Sequence, residues 1–190
     1  SLGNHGIWGH GMAAWPSSIH RPSFNIPLIF SGPGVKEGKP NALVSQLDLA
    51  NTILNLTKSS KLEGERVDSL PLDLSNESYE NRDKVFMEQE ESRAVRTKKW
   101  LFINRFNKEG MDWLSSELYD LEKDPDERNN ISDEKKFSHI IQMLNKDLIE
   151  YFEKHSDPSY DLWRGGSAKS NVSNPKFWKQ EWGADWKTTF

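Results

Sequence analysis

The residues best suited to chemistry stand near the start of the chain, in Gly3-Asn4-His5-Gly6-Ile7-Trp8-Gly9-His10-Gly11. Two imidazoles flank one indole there. Each imidazole can move a proton near neutral pH, hold an anion when protonated, or ligate a metal when neutral. Glycines at 3, 6, 9 and 11 exclude a stable helix, because each costs about 1 kcal/mol there relative to alanine. The histidines are therefore presented on a loop, where backbone can approach a ligand closely. From spacing alone, a loop pair with no ligand is the simpler reading, since short motifs are unspecific. A zinc site from His5, His10 and His20 is a weaker alternative: no fourth ligand is evident and the spacing fits no common zinc pattern. The chain has no cysteine, which excludes disulfides, thiolate metal sites and a cysteine nucleophile.

The elements that must position this loop follow in order. Residues 12–22 are a connector with Pro16 and Pro22, so any helix in it is short. Residues 26–30 (Ile-Pro-Leu-Ile-Phe) form a compact apolar run closed by Gly-Pro-Gly, which predicts a buried strand. Ser45-Gln46-Leu47-Asp48 has the form of a capping box opening a helix to about Leu56, with Val44, Leu47, Ala50 and Leu54 on one face. Asp48 is read as a cap rather than a catalytic acid. A polar break falls near 76–83.

Beyond the break, strands are predicted at 84–88, 93–96, 100–103 and 117–121, with a hairpin turn at 97–99. An acidic, turn-rich loop covers 122–130. A helix over 133–155 carries Phe137, Ile140, Ile141, Leu144, Leu148 and Phe152 at three- and four-residue spacing. Its ends place Asp133 and Glu134 first and Lys154 and His155 last, matching the helix dipole. The tail, 157–190, holds Trp163, Trp178, Trp182 and Trp186. Packing of these indoles is favoured over stacking on a sugar. Arg164, between Trp163 and Gly165, is the tail's candidate anion contact.

The net charge of −4 argues against general nucleic-acid binding, and no apolar stretch is long enough to span a bilayer. The opening residues lack the basic and apolar regions of a signal peptide.

GNHGIWGHG followed by RPSFNIPLIFSGPG resembles the segment of formylglycine-dependent (type I) sulfatases that reads G-D/E-H-G-L-W-x-K-G, then R-x-P-L-I-x-x-x-P-G. VSQLDLANTILNL and SLPL resemble that family's following helix and turn. RAVRTKKW and ELYDLEKDPDERNN resemble the motifs of its small C-terminal subdomain. The family belongs to the alkaline-phosphatase-like superfamily. The resemblance implies an α/β remnant of the sulfatase catalytic domain over 1–82. It implies an α+β subdomain over 83–156, a four-stranded antiparallel sheet packed on one long helix. The Trp-rich tail, 157–190, would pack on the catalytic domain. The ELYDLEKDPDERNN match is expected to mark architecture and carry no chemistry.

The resemblance also implies a site. His5 falls where the family has a histidine at the active-site rim, and His10 falls where it has a lysine that contacts sulfate. His10 is expected to be a sulfate-oxygen donor or general acid, with a charge that depends on pH. His5 would orient substrate and Trp8 would wall the pocket. The intact family enzyme uses formylglycine and Ca²⁺. This chain is expected to provide neither: it has no cysteine, its one serine match to C/S-x-P/A-x-R, Ser92-Arg93-Ala94-Val95-Arg96, falls in the run that resembles the C-terminal subdomain, and no Asp-Asp pair or Asp-Asn/His pair for calcium occurs in it.

The expectation is therefore a C-terminal fragment of a sulfatase. Its partners would be an N-terminal catalytic segment and a sulfated small molecule or glycan. By itself it would be inactive. The family places such enzymes in periplasmic, secreted or lysosomal compartments. Two alternatives stand beside it: a fragment of a related phosphodiesterase or phosphonate hydrolase, and a non-enzymatic carbohydrate-binding module.

Overall fold

A computed structural model describes residues 3–6, 17–64, 68–76, 80–89, 91–106, 115–166 and 183. Its centre is a four-stranded antiparallel meander, β1 (Val85–Gln89), β2 (Ser92–Arg96), β3 (Trp100–Arg105) and β4 (Glu117–Asp120), paired in that order. The register sets Phe86 opposite Val95, Val95 opposite Phe102 and Phe102 opposite Leu118. The β2–β3 turn is built by Thr97, whose hydroxyl oxygen accepts the Trp100 and Lys99 N–H groups at 2.7 and 3.1 Å. All four predicted strands and the hairpin are present.

Alternation along the strands gives the sheet two apolar faces. Val95, Phe102 and Leu118 pack against Leu144, Leu148 and Phe152 of the long helix. That helix runs Ser138–His155 and is preceded by a 3₁₀ turn, Lys135–Phe137. The predicted stripe is correct. The predicted start is not, and Asp133 and Glu134 precede the helix rather than fill its first turn. The 3₁₀ turn takes up Phe137, whose ring then meets Trp100 edge-on at 5.6 Å.

The opposite face, Ala94, Leu101, Ile103 and Tyr119, is covered by a strap from Ser17 to Phe24, with Ile19 buried at its centre. The strap ends in a single-turn helix, α1 (Arg21–Phe24), started by Pro22. The long helix is numbered α3. Between them lies α2 (Asp48–Leu56).

Two further expectations are overturned. Residues 26–30 form no strand, and Ile29 is 87% exposed. A strand needs a hydrogen-bonding neighbour, and the meander satisfies its own ladder without this run. In α2 the buried side chains are Asp48, Asn51 and Thr52, while Leu47 and Ala50 of the predicted apolar face are exposed. The polar face turns inward because it captures the backbone N–H groups of Leu62, Leu70 and Leu72. Asp48 accepts the Leu70 N–H at 2.8 Å, Asn51 that of Leu62 at 2.8 Å and Thr52 that of Leu72 at 2.9 Å. Asp48 also accepts the Ser45 N–H at 2.8 Å, the returning half of a capping box, and pairs with Arg82. Its role is structural, as the sequence indicated.

Candidate functional site

Among the described residues, chemistry-bearing side chains converge where the 3–6 turn meets the strap. His5 sits in a left-handed conformation, φ 55° and ψ 27°, inside a 3₁₀ turn closed by the Gly6 N–H on the Gly3 carbonyl. That region is sparsely populated by residues other than glycine, though histidine is enriched there. Gly3 and Gly6 also take positive φ, so the glycine-rich sequence makes the turn possible.

The His5 ring stacks on the buried His20 ring, centroids 3.9 Å apart and 4° from parallel. His20 is itself fixed on three sides. Its Nδ1 lies 3.2 Å from Glu127 Oε2, its Nε2 lies 3.6 Å from Glu117 Oε2, and Tyr119 meets it edge-on at 5.5 Å.

Glu127 is the hub. It is fully buried and, like His5, left-handed at φ 58°. Its Oε2 accepts the Arg21 N–H at 2.9 Å, and its Oε1 pairs with Arg96 at 2.5 Å. Burial by itself would raise its pKa. Donors from His20, Arg21 and Arg96 outweigh that and hold it below the usual carboxylate range. An ionised carboxylate only accepts, so His20 Nδ1 carries the shared proton.

The local sequence explains how Glu127 reaches this place. In Asp124-Pro125-Asp126-Glu127-Arg128-Asn129, Asp124 Oδ2 accepts the Arg128 and Asn129 N–H groups at 2.8 and 2.7 Å. The Glu127 N–H donates to the Asp124 carbonyl at 3.1 Å. The turn holds itself together and directs one carboxylate inward.

A second buried node anchors the start of the strap. Glu91 accepts the Ser17 N–H and hydroxyl at 2.6 and 2.9 Å, and Arg105 donates to the Ser17 carbonyl at 3.0 Å. Arg105 also forms an ion pair with Glu117 at 2.5 Å. The strap that carries His20 is thus tied to the sheet at both ends.

His5 itself is exposed. Its pKa lies below the ordinary histidine value, first from partial burial and then from the His20 ring beside it. A neutral His5 can accept a proton or a hydrogen bond.

Of the sequence-predicted site residues, His10 and Trp8 lie outside the described residues. Arg164 is exposed and donates weakly to the Glu153 carbonyl at 3.4 Å, beside α3. The guanidinium that acts on His5 is Arg128. Trp163 packs, edge-on to Phe106 at 5.6 Å and near Arg93. Trp178, Trp182 and Trp186 lie outside the described residues.

Of the zinc alternative, His5 and His20 do meet. With Glu127 they offer ligand atoms all within 4.8 Å of one another. The chemistry argues against a metal here, because Glu127 is saturated by three donors and a guanidinium adjoins it. Calcium fits no better. It requires six to eight oxygen ligands, and this cluster offers one committed carboxylate.

Sequence reasoning missed Glu127 as a site residue and gave His20 only a minor place. The available signal was an acid in a turn too rich in hydrogen-bonding residues to be plain linker.

The family model described as N-sulphoglucosamine sulphohydrolase, C-terminal, matches residues 10–154. The chain belongs to this family. It is 27% identical to the Δ4,5-hexuronate-2-O-sulfatase of Bacteroides thetaiotaomicron over 165 residues, 80% of this chain and 33% of that protein. It is 28% identical to human arylsulfatase K over 191 aligned positions, covering 87% of this chain and 34% of that protein. It also resembles the structure of a 2-O GAG sulfatase, with a TM-score of 0.55 and 26% identity over 77% of this chain and 33% of that one. The chain spans about a third of the length of the curated relatives it matches. The meander and long helix are the expected sulfatase C-terminal subdomain.

Proposed function

We propose that this chain is the C-terminal part of a sulfatase that hydrolyses sulfate esters, and that the loop bearing His5, Trp8 and His10 forms one wall of its substrate pocket. The family match across residues 10–154 carries this proposal. The matched relatives are named as sulfatases, which favours sulfate esters over phosphodiesters or phosphonates.

In sulfate-ester hydrolysis a nucleophile attacks sulfur, the ester S–O bond breaks, and the leaving alcohol takes a proton. Residues 1–82 would complete the catalytic domain and 83–156 would form the subdomain that buttresses it. His10 would donate to a sulfate oxygen or to the leaving alcohol, His5 would orient substrate, and Trp8 would exclude water. The exposed Arg164 is kept as an anion contact of the tail. Formylglycine and calcium would come from the preceding part of the protein, as would its address to a periplasmic, secreted or lysosomal compartment. No described helix is long and apolar enough to cross a membrane.

The test is expression of the full-length protein and assay of sulfate release from an aryl sulfate and from a 2-O-sulfated unsaturated hexuronate. Sulfate release that disappears in the isolated 190-residue chain is the expected result. Hydrolysis of a phosphonate monoester with no sulfate release would establish the rival enzyme. Sugar binding by the isolated chain without any turnover would establish the binding module.

A further inference from the structure

The loop that carries Glu127 does more than identify the subdomain. Three observations join it to His5. Glu127 is fully buried in a left-handed conformation that residues other than glycine seldom adopt. Its carboxylate accepts a hydrogen bond from His20 Nδ1–H at 3.2 Å while also accepting from Arg21 N–H and Arg96. The far face of the His20 ring is the surface on which His5 lies, 3.9 Å away and 4° from parallel. Among the described residues, His20 is the ring that His5 meets, the Asp126 backbone adds a hydrogen bond to the His5 side chain, and the Gly6 N–H on the Gly3 carbonyl closes its turn.

We propose that Glu127 and His20 are positioning residues for His5: the subdomain carboxylate locks the His20 ring, and that ring is the shelf that sets the plane of the pocket imidazole. This rests on the sulfatase reading above, with His5 in its pocket-wall role. Neither residue touches substrate. The groups that face the pair are Glu127, Arg128, Glu117, Tyr119, Arg96 and Arg105. Of these, Glu127 raises and Arg128 lowers the His5 pKa, both behind burial and the His20 ring.

The shelf can be read without activity. In the 190-residue chain, the His5 Cε1–H resonance, assigned through His5→Gln, is expected upfield of free histidine because of the His20 ring current. Its midpoint is expected below the ordinary value. His20→Ala should abolish the upfield shift. Glu127→Gln should reduce it, because an amide oxygen holds Nδ1–H less firmly than a carboxylate; the substitution also removes a charge that raises His5, so a midpoint that only falls while the upfield shift is kept overturns the positioning role of Glu127. The methyl resonances of Val95 and Leu144 report whether each variant is folded. If Glu127→Gln fails to fold, His20→Ala alone decides whether the shelf exists.

In the full-length enzyme, Glu127→Gln should lower kcat/KM by on the order of tenfold or more. It should also shift the acid limb of the pH profile in step with the His5 midpoint. A His5 resonance unmoved by both substitutions overturns the proposal. So does a moved resonance with an unchanged pH profile. If the wild-type protein hydrolyses no sulfate ester, the proposed function falls, while the resonance experiment still decides whether Glu127 and His20 position His5.

Discussion

Tyr151 lies flat against Phe86, ring centroids 3.9 Å apart and 8° from parallel, and its hydroxyl donates to Asp68 Oδ2 at 3.0 Å. Asp68 in turn pairs with Arg82 at 2.9 Å, and Arg82 pairs with Asp48 of α2. One side chain therefore joins α3 to an edge strand and to the segment packed on α2. Burial, reinforced by Asp68, raises the Tyr151 phenol well above its usual range, and burial with Glu117 does the same for Tyr119. In an ultraviolet titration of the folded chain, these two tyrosines should stay protonated beyond the ordinary tyrosine midpoint near pH 10. Tyr151→Phe should delete one of the late-titrating groups. Ordinary midpoints for all tyrosines would contradict the packing.

Leu144 is wholly buried between α3 and the sheet, in contact with the cluster of Val95, Phe102 and Leu118. Leu144→Ala should cost about 2–5 kcal/mol, through lost transfer energy and the cavity left behind. Urea denaturation measures it. A loss under about half a kcal/mol, the scale of a surface substitution, would mean that the helix does not pack there.

Stability should fall with acid in two windows. His5 has a lowered folded pKa, so between that value and about 6.5 the unfolded chain binds more protons than the folded one. Its contribution is complete above about pH 6.5 and declines as pH drops to the folded value. Glu127 is also lowered, so its contribution is complete above about pH 4.3 and is lost as pH falls through its folded value. Urea midpoints between pH 7 and pH 3 should show both losses. His5→Gln should flatten the upper window and Glu127→Gln the lower.

His10 stands where the resembling family has lysine. In the full-length enzyme an imidazolium there would bind sulfate through a charge-assisted hydrogen bond and lose that charge as pH rises. The basic limb of kcat/KM should therefore fall earlier than in a lysine-bearing relative, and His10→Lys should move it to higher pH with much of the activity kept. His10→Ala should lower kcat/KM by about 10²-fold, the scale for removing one oriented donor. An unchanged rate and profile in His10→Ala would make it an ordinary loop residue.

The local code of this chain was sufficient for the four strands and the helix stripe between Val85 and His155. Alternation in β1–β4, the Thr97 turn and the Phe137–Phe152 stripe are short-range patterns, and the antiparallel meander pairs strands that are neighbours in sequence. The sulfatase resemblance was legible for the same reason: its motifs are contiguous. Where the pattern was apolar but its covering surface lay elsewhere, the sequence misled. Residues 26–30 have a strand's composition and no neighbouring ladder. In α2, long-range hydrogen bonds that Asp48, Asn51 and Thr52 accept from the Leu70, Leu62 and Leu72 N–H groups turned the polar face inward against the hydrophobic pattern.

The site divides the same way. The glycines around His5 announced a loop that brings a functional group to the surface. Nothing in the spacing of residues 5, 20, 96 and 127 indicates that they meet. Only the fold seats the strap on the sheet and turns the 124–129 loop inward, so that Arg96 holds Glu127, Glu127 and Glu117 flank His20 and His20 supports His5. A buried charge is tolerated only where several partners surround it, and the partners of Glu127, His20 with Arg21 and then Arg96, come from two stretches of chain far from it in sequence. That requirement is met by tertiary structure and leaves no periodicity behind.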